Sequence, residues 1–199
     1  MSDRDDPSRE ESFLTGRLLV AMPGIGDPRF ERAIIYVCAH DADHALGLTV
    51  NRPMSSLRVP DVLKQLGVAS SLDPPGEPVL MGGPVHRDNG FVLHTDDYVS
   101  TPPPGSEPAT LRIGGGVALT ATRDVLEAMA SPDGRPRRAV LALGYAGWGA
   151  GQLEQELREN VWLTCEADEQ LLFGADHENK WSLALAKLGI HPEHLSASA

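Results

Sequence analysis

The segment LGYAGWGAGQLE, from Leu143 to Glu154, joins four glycines to the predicted start of a helix. Glycine permits positive φ and close approach of a ligand, and the first turn of a helix carries unpaired N–H groups. The segment could therefore cradle an anion. Against this, no lysine lies near it in the sequence, and Glu154 and Glu156 would repel a phosphate. Tight packing of the strand against the helix accounts for the glycines equally well.

Trp148 stands between Gly147 and Gly149 in this segment, where we expect a loop that gives the indole little local support. Trp162 lies in a predicted strand and Trp181 on a predicted helix face, so truncating either to alanine should cost roughly 3–5 kcal/mol. If Trp148 lines a pocket or a contact surface instead, its truncation should cost about 2 kcal/mol or less.

Cys38, His40 and His44 form a C-x-H-x3-H pattern. Alternate residues of a strand share a face, so Cys38 and His40 with His44 from the next turn could bind zinc together with a water. A packed cysteine beside a hydrogen-bonded histidine is the commoner arrangement. We therefore expect no metal and no other cofactor.

Polar residues at the ends of predicted strands are further candidates. Asn51 and Arg52 close one strand, and Asp27 and Arg32 flank another turn, so these groups could converge on a cleft. They could equally cap turns and form ion pairs. His94 and Asp88 admit the same two interpretations, and no catalytic triad can be assembled from the sequence.

Charge argues against direct nucleic-acid binding. The chain of 199 residues has a net charge of −11, which repels phosphate backbones. Its one basic cluster is Arg135, Arg137 and Arg138 in the sequence SPDGRPRR, which the proline and glycine residues favour as a solvated loop.

Composition predicts one domain, residues 13–199, preceded by a disordered tail over residues 1–12. The tail lacks the apolar stretch of a secretory signal, and no run is long enough for a membrane helix, so we expect a cytoplasmic protein. The two cysteines, Cys38 and Cys165, lie in apolar segments, as reduced buried cysteines do.

Hydrophobic periodicity predicts short strands and about four short helices. The strands are predicted over 18–22, 33–39, 45–50, 79–81, 91–94, 138–143 and 162–165, and the helices near 60–66, after Thr122, over 151–160 and from about 177 to 188. The sequence HRDNG, with Asn89-Gly90, predicts a turn between the strands 79–81 and 91–94. Strands cluster early and helices late, without regular alternation, which favours an α+β fold.

Together these segments resemble the AlgH/YqgE family of bacterial proteins, from about Leu14 to Leu195. The matching segments are GRLLVAMPGIGDPRFERAIIYVCAH, GLTVNRP, GGPV with GFVLH, LTATRDVLEAMA, ALGYAGWGAGQLEQELRENVWLT and KWSLALAKLGI. His44 replaces a usual glycine, Asn89 replaces a common arginine, and the usual A-G-H-A ending is absent. The resemblance implies an α+β fold on a strongly bent mixed or antiparallel sheet approaching a partial barrel, and a role as a transcriptional regulator, but no established reaction.

Two hypotheses for function follow. The first is a non-catalytic regulatory or interaction module that acts indirectly, through an unidentified protein partner or small ligand. The alternative is a small-molecule or nucleotide-binding protein, or an enzyme, that uses the glycine-rich segment 144–151 and nearby strand ends. The candidate binding residues are Asn51, Arg52, Gly82, Gly83, Gly147, Trp148 and Gly149.

Overall fold

The computed structural model describes residues 13–70, 76–101, 104–105 and 109–195. The predicted tail over residues 1–12 and most of the Pro-rich loop TPPPGSEP lie outside them. The strands are β1 (Arg17–Ala21), β2 (Ile34–His40), β3 (His44–Thr49), β4 (Pro53–Arg58), β5 (Pro78–Met81), β6 (Val85–Thr95), β7 (Thr110–Gly114), β8 (Val117–Thr120), β9 (Ala139–Gly149) and β10 (Trp162–Glu166). The helices are α1 (Val59–Gln65), α2 (Arg123–Met129), α3 (Gln152–Arg158), α4 (Glu169–Phe173) and α5 (Lys180–Lys187).

The ten strands form one sheet that curls strongly into a half-barrel, as an α+β fold was expected to do. Its main path runs β10-β1-β2-β3-β9-β6-β8-β7, and β4 and β5 branch from it at β9. All pairings are antiparallel except that of β5 with β9. The order places the last strand, β10, beside the first, β1.

Strand β9 holds the sheet together. Its first half pairs with β6 on one side and with β5 on the other, whereas its second half, from Ala146 to Gly149, pairs with β3. The sequence predicted only the first half as a strand. The second half extends through the glycine-rich segment, so the segment that we expected to be a loop is a strand.

Both faces of the sheet are covered, which explains the unbroken apolar run in β2. Ile34 and Tyr36 pack in one cluster with Trp181 and Leu185 of α5. Ile35 lies on the opposite face, in a cluster with Leu153 of α3. A third cluster lies under α1 and α2 and includes Leu63, Val125 and Leu141.

Two local predictions are wrong, and the sequence does not indicate either β4, a mostly exposed strand that follows Arg52, or the short helix α4. The HRDNG segment is not a hairpin turn, because β5 and β6 both pair with β9 and not with each other. Residues 86–89 instead form a register shift inside β6, between Val85 and Gly90. The last helix begins at Lys180, three residues later than predicted, and its N-terminal cap is Asn179, whose side chain donates to Asp176.

None of the helices in the described part of the chain is both long and apolar enough to cross a bilayer.

Candidate functional site

Gly82 and Gly83, between β5 and β6, lie against the backbone of β9. A Cβ atom on Gly82 would be 2.3 Å from the Gly144 carbonyl oxygen, and one on Gly83 would be 2.0 Å from the Tyr145 carbonyl carbon. The Gly82 N–H donates to Leu143, and its carbonyl accepts from the Thr49 N–H. These two glycines therefore permit a close crossing of two chain segments.

Within β9, the glycines have different surroundings. Gly144 has φ +71°, and a Cβ there would be 2.4 Å from the Gly83 carbonyl oxygen. Gly147 pairs with Leu46 and Gly149 with His44 in the ladder to β3. A Cβ on Gly149 would meet nothing within 4 Å. Only the last of these glycines borders open space.

Trp148 lies in the strand and not in a loop, so the expectation that its ring lacks support is wrong. Its relative exposure is 6%, against 3% for Trp162 and 6% for Trp181. The Trp148 and Trp162 rings meet edge to face with centroids 6.2 Å apart. Both indole N–H groups donate to the same Glu156 carboxylate oxygen, at 2.8 and 2.7 Å. The long Trp148 side chain reaches α3, and these contacts support the ring although its neighbours in the strand are glycines.

Cys38 and His40 do not share a face. The register of β2 against β3 shifts between Val37 and Ala39, so Cys38 is an extra residue in the ladder. Cys38 lies in the cluster beneath α5, where burial raises the pKa of its thiol to about 12. His40 reaches α3, and its Nε2 lies 2.8 Å from Glu154. Among the described residues, no three histidine, cysteine or acidic side chains could hold a metal ion.

The His40 ring is fully engaged in hydrogen bonds. The Leu14 N–H donates to its Nδ1, so the neutral ring carries its proton on Nε2 and donates it to Glu154. His40 thus ties the start of the described chain to β2 and α3.

Asn51 and Arg52 hold the turn between β1 and β2. The Ile34 N–H donates to the Asn51 side-chain oxygen, and the Asn51 amide donates to the Arg32 carbonyl. Arg52 donates to the Glu31 carbonyl. Arg32 needs this support because it has φ +53°, an uncommon conformation for a residue other than glycine.

A cavity of about 270 Å³ lies between α1, β5, the start of β9 and the connection from α4 to α5. About half of its wall is apolar and includes Val59, Leu63, Pro78, Leu80, Met129 and Phe173. The loop from Arg135 to Arg138 forms one side, and His177 and Glu77 also line it. The three arginines of the basic cluster are exposed, as predicted for a solvated loop, and they also form part of a cavity wall. We call this space the arginine-lined cavity.

The charges around the arginine-lined cavity are mostly positive. Arg137 and Arg138 share the Glu169 carboxylate, which lowers the pKa of Glu169. Arg135 forms no salt bridge within the described residues. An anion in the cavity would therefore meet one uncompensated guanidinium and two that are only partly neutralised.

His177 contributes a buried nitrogen with no partner. Its Nδ1 is inaccessible to solvent and has no hydrogen bond, while the ring also interacts with the Val50 carbonyl. Burial and the nearby Lys180 lower the pKa of His177, so the ring is neutral at pH 7. Since a neutral ring that donates from Nε2 keeps a lone pair on Nδ1, His177 is an unsatisfied acceptor at the cavity wall.

The sequence-predicted residues thus do not surround one pocket. Asn51, Arg52 and Gly82 lie at neighbouring strand ends, since the Arg52 carbonyl accepts from Met81 next to Gly82. Gly147, Trp148 and Gly149 lie farther along β9. The sequence analysis did not identify His177 as a site residue. It identified the Arg135–Arg138 cluster but assigned it to no site. The only sequence signal was the rarity of clustered arginines in an acidic chain.

Comparisons with known proteins agree on the family. A model of a family described as AlgH-like (DUF179) matches residues 18–193. A protein of Caulobacter vibrioides called "UPF0301 protein" is 62% identical over 195 residues, which are 98% of this chain and 96% of that one. A UPF0301 protein of Rhodospirillum rubrum is 49% identical over 191 residues, covering 96% of this chain and 95% of that one.

Solved structures show the same fold. The solution structure of the AlgH protein from Pseudomonas aeruginosa is 39% identical, with a TM-score of 0.70, and the match covers 100% of this chain and 98% of that one. A crystal structure of a protein from Corynebacterium diphtheriae is 16% identical with a TM-score of 0.66, covering 98% and 95%, and shares the fold alone. This chain belongs to the AlgH-like family.

Proposed function

We propose that this protein is a non-catalytic, ligand-binding regulatory module that holds a small amphipathic anion in the arginine-lined cavity. The observation that carries the proposal is the convergence of three arginines, against one acidic residue, Glu77, on a half-apolar cavity in a chain of net charge −11. A carboxylate or phosphate would accept charge-assisted hydrogen bonds from Arg135 and its neighbours, and the apolar wall would bury the rest of the molecule.

Two other cavities suit this ligand less well. One, of about 550 Å³, is lined by four acidic residues, Asp96, Asp97, Asp168 and Glu169, against one arginine, so its net negative charge would repel an anion. The other, of about 410 Å³, lies between α1 and α2 and is lined by leucine and valine side chains with Arg87, Asp88 and Arg123. Among these three cavities of the described residues, the arginine-lined cavity has the most arginines.

Occupancy of this cavity would link elements that are distant in sequence. The cavity touches α1, the start of β9 and the α4–α5 connection. A ligand that bridges them stabilises their relative positions, because it binds only the folded arrangement. In this proposal the ligand regulates how that surface meets a protein partner, and the chain itself performs no reaction.

A thermal-shift screen tests the proposal. Aromatic and aliphatic carboxylates and phosphate esters are added to the purified protein, and the melting temperature is followed. A ligand at a hundred times its Kd should stabilise the fold by about 2.7 kcal/mol. Arg135→Gln should reduce the apparent affinity by about tenfold or more, since one charge-assisted contact is lost.

Arg112→Gln is the matched control. Arg112 lies in β7, outside the cavity. Its substitution removes the same charge from an exposed position. If Arg112→Gln weakens binding as much as Arg135→Gln, the effect is one of net charge and the cavity is not the site. Binding of a partner at Gly149 stays a prediction, and the open space beside this residue is compatible with such a contact.

A further inference from the structure

A closed ring of contacts surrounds the junction between β3 and β4, which we call the β3–β4 corner and define by Arg32, Asn51, Arg52, Lys180 and Trp181. Lys180 donates to the Val50 carbonyl. Asn51 holds the Arg32 carbonyl, and Arg52 holds that of Glu31. The Arg32 guanidinium in turn lies over the Trp181 ring, 5.3 Å from its centroid.

The arginines of this corner have no acidic partners. Neither Arg32 nor Arg52 takes part in any salt bridge of the described chain. Acidic residues outnumber basic ones by 28 to 17, so the lack of acidic partners for these two arginines is not explained by a shortage of carboxylates. Asp176 is the nearby acid that acts on Lys180 and His177, and its carboxylate accepts both hydrogen bonds of the Asn179 amide.

Arg52 also carries an unused donor. Its Nε is buried and has no hydrogen-bond partner, although one terminal nitrogen donates to Glu31. A buried donor without an acceptor is unfavourable. Nε and a terminal nitrogen form one edge of the planar guanidinium fork, which matches two oxygens of an oxyanion. A small rotation of the side chain toward an oxyanion would satisfy the unused donor.

Lys180 adds a buried positive group to the corner, next in the chain to Trp181, whose ring the Arg32 guanidinium covers. Its exposure is 1%, and its Nζ donates to the carbonyls of Val50 and Leu172. Burial lowers its pKa to about 8, so the ammonium remains mostly charged at neutral pH. Three cationic groups favour an anion that carries more than one charge.

We propose that the β3–β4 corner binds a phosphate dianion, either as inorganic phosphate or as the head of a phosphate monoester. This site is separate from the proposed function, because neither Arg32 nor Arg52 lines the arginine-lined cavity. Asn51 and Arg52 then serve two purposes, since the contacts that shape the turn also hold the Arg52 guanidinium against the Glu31 carbonyl, next in the chain to Arg32.

The test is a titration of ¹⁵N-labelled protein in which the NMR signals of the arginine Nε–Hε groups are monitored. Inorganic phosphate is added at pH 7.5 and constant ionic strength, with methyl phosphate in a parallel series. The Arg52 signal should shift saturably while that of Arg112 stays unchanged. Arg52→Gln should weaken the apparent affinity by about tenfold or more, and Arg52→Lys, which cannot form the fork, should not restore it.

Arg32→Gln is the second variant, needed because Arg52 also supports the Glu31 carbonyl. Its guanidinium is exposed and its backbone contact to Asn51 is kept, so it should fold while losing affinity. Tighter binding of inorganic phosphate would indicate free phosphate as the ligand, and tighter binding of methyl phosphate would indicate a phosphate monoester. A shift that grows linearly and equally at Arg112, or unchanged affinity in both Arg52→Gln and Arg32→Gln, would overturn the site.

Discussion

At the scale of single residues, the Glu156 carboxylate is the clearest link between α3 and the sheet. One of its oxygens accepts from both Trp148 and Trp162, and the other accepts from Gln152. Because both indoles are buried, a missing carboxylate would leave two N–H groups without a partner or water. The three side chains act as one packed unit beneath α3.

Alanine variants should show this unit in urea denaturation followed by circular dichroism. We expect Trp148→Ala and Trp162→Ala each to lower the free energy of unfolding by about 3–5 kcal/mol. Glu156→Ala should lower it by about 2–4 kcal/mol, from two unsatisfied donors. Glu159→Ala, at the exposed C-terminal cap of the same helix, should stay within about 0.5 kcal/mol of the parent. If Trp148→Ala lowered the free energy of unfolding as little as Glu159→Ala, the indole would be a surface group and not part of the core.

At the scale of elements, β9 crosses the β5–β6 connection at Gly144. Positive φ and the 2.4 Å approach to the Gly83 carbonyl oxygen both exclude a side chain there. The crossing lets β9 pair with β5 and β6 before it continues to β3. One backbone position thus decides whether the two halves of the sheet join.

Gly144→Ala and Gly149→Ala form a matched pair in the same strand. Gly144→Ala should lower the free energy of unfolding by more than about 2 kcal/mol, because strain and steric overlap add. Gly149→Ala should change it by less than about 0.5 kcal/mol, since a Cβ there meets nothing. Thermal melts of the two variants make the comparison. Equal penalties would mean that the crossing is not the constraint.

Local patterns predicted the elements whose residues carry their own signal. The apolar run of β2, and Pro60 and Gly67 at the two ends of α1, are examples, and both elements form where expected. Sequence patterns failed where the structure of a segment depends on the strand with which it pairs. The HRDNG segment has hairpin residues, yet its flanking strands pair with β9, some fifty residues later. For the same reason, the arginine-lined cavity could not be foreseen, since segments far apart in sequence form its wall.

At the scale of the whole molecule, the buried Lys180 ties α5 to α4 and to the end of β3. Its pKa is about 8 in the folded protein, against 10.5 for an ordinary lysine. Between these values the unfolded chain binds more protons, so this group makes stability rise with pH. Cys38, whose pKa burial raises from 9.0 to about 12, has the opposite effect above pH 9.

Comparison with Lys180→Met isolates the lysine, because Cys38 contributes equally to both proteins. From pH 7 to pH 9 the free energy of unfolding of the parent should rise by about 1.4 kcal/mol more than that of the variant. Urea denaturation in phosphate-free buffer at each pH gives the two slopes. Parallel slopes would show that the ammonium is not desolvated in the folded state.

The late position of β9 in the chain constrains how the protein is made. During synthesis β3, β5 and β6 emerge long before their shared neighbour, and β1 waits longer still for β10. Until residue 149 is available, three strands have an unpaired edge and all three core clusters lack the residues that β9 contributes. Such edges invite association between chains. Nascent chains of this family therefore face their greatest risk of aggregation in the interval before β9 is released, and any chaperone that assists them has to act within it.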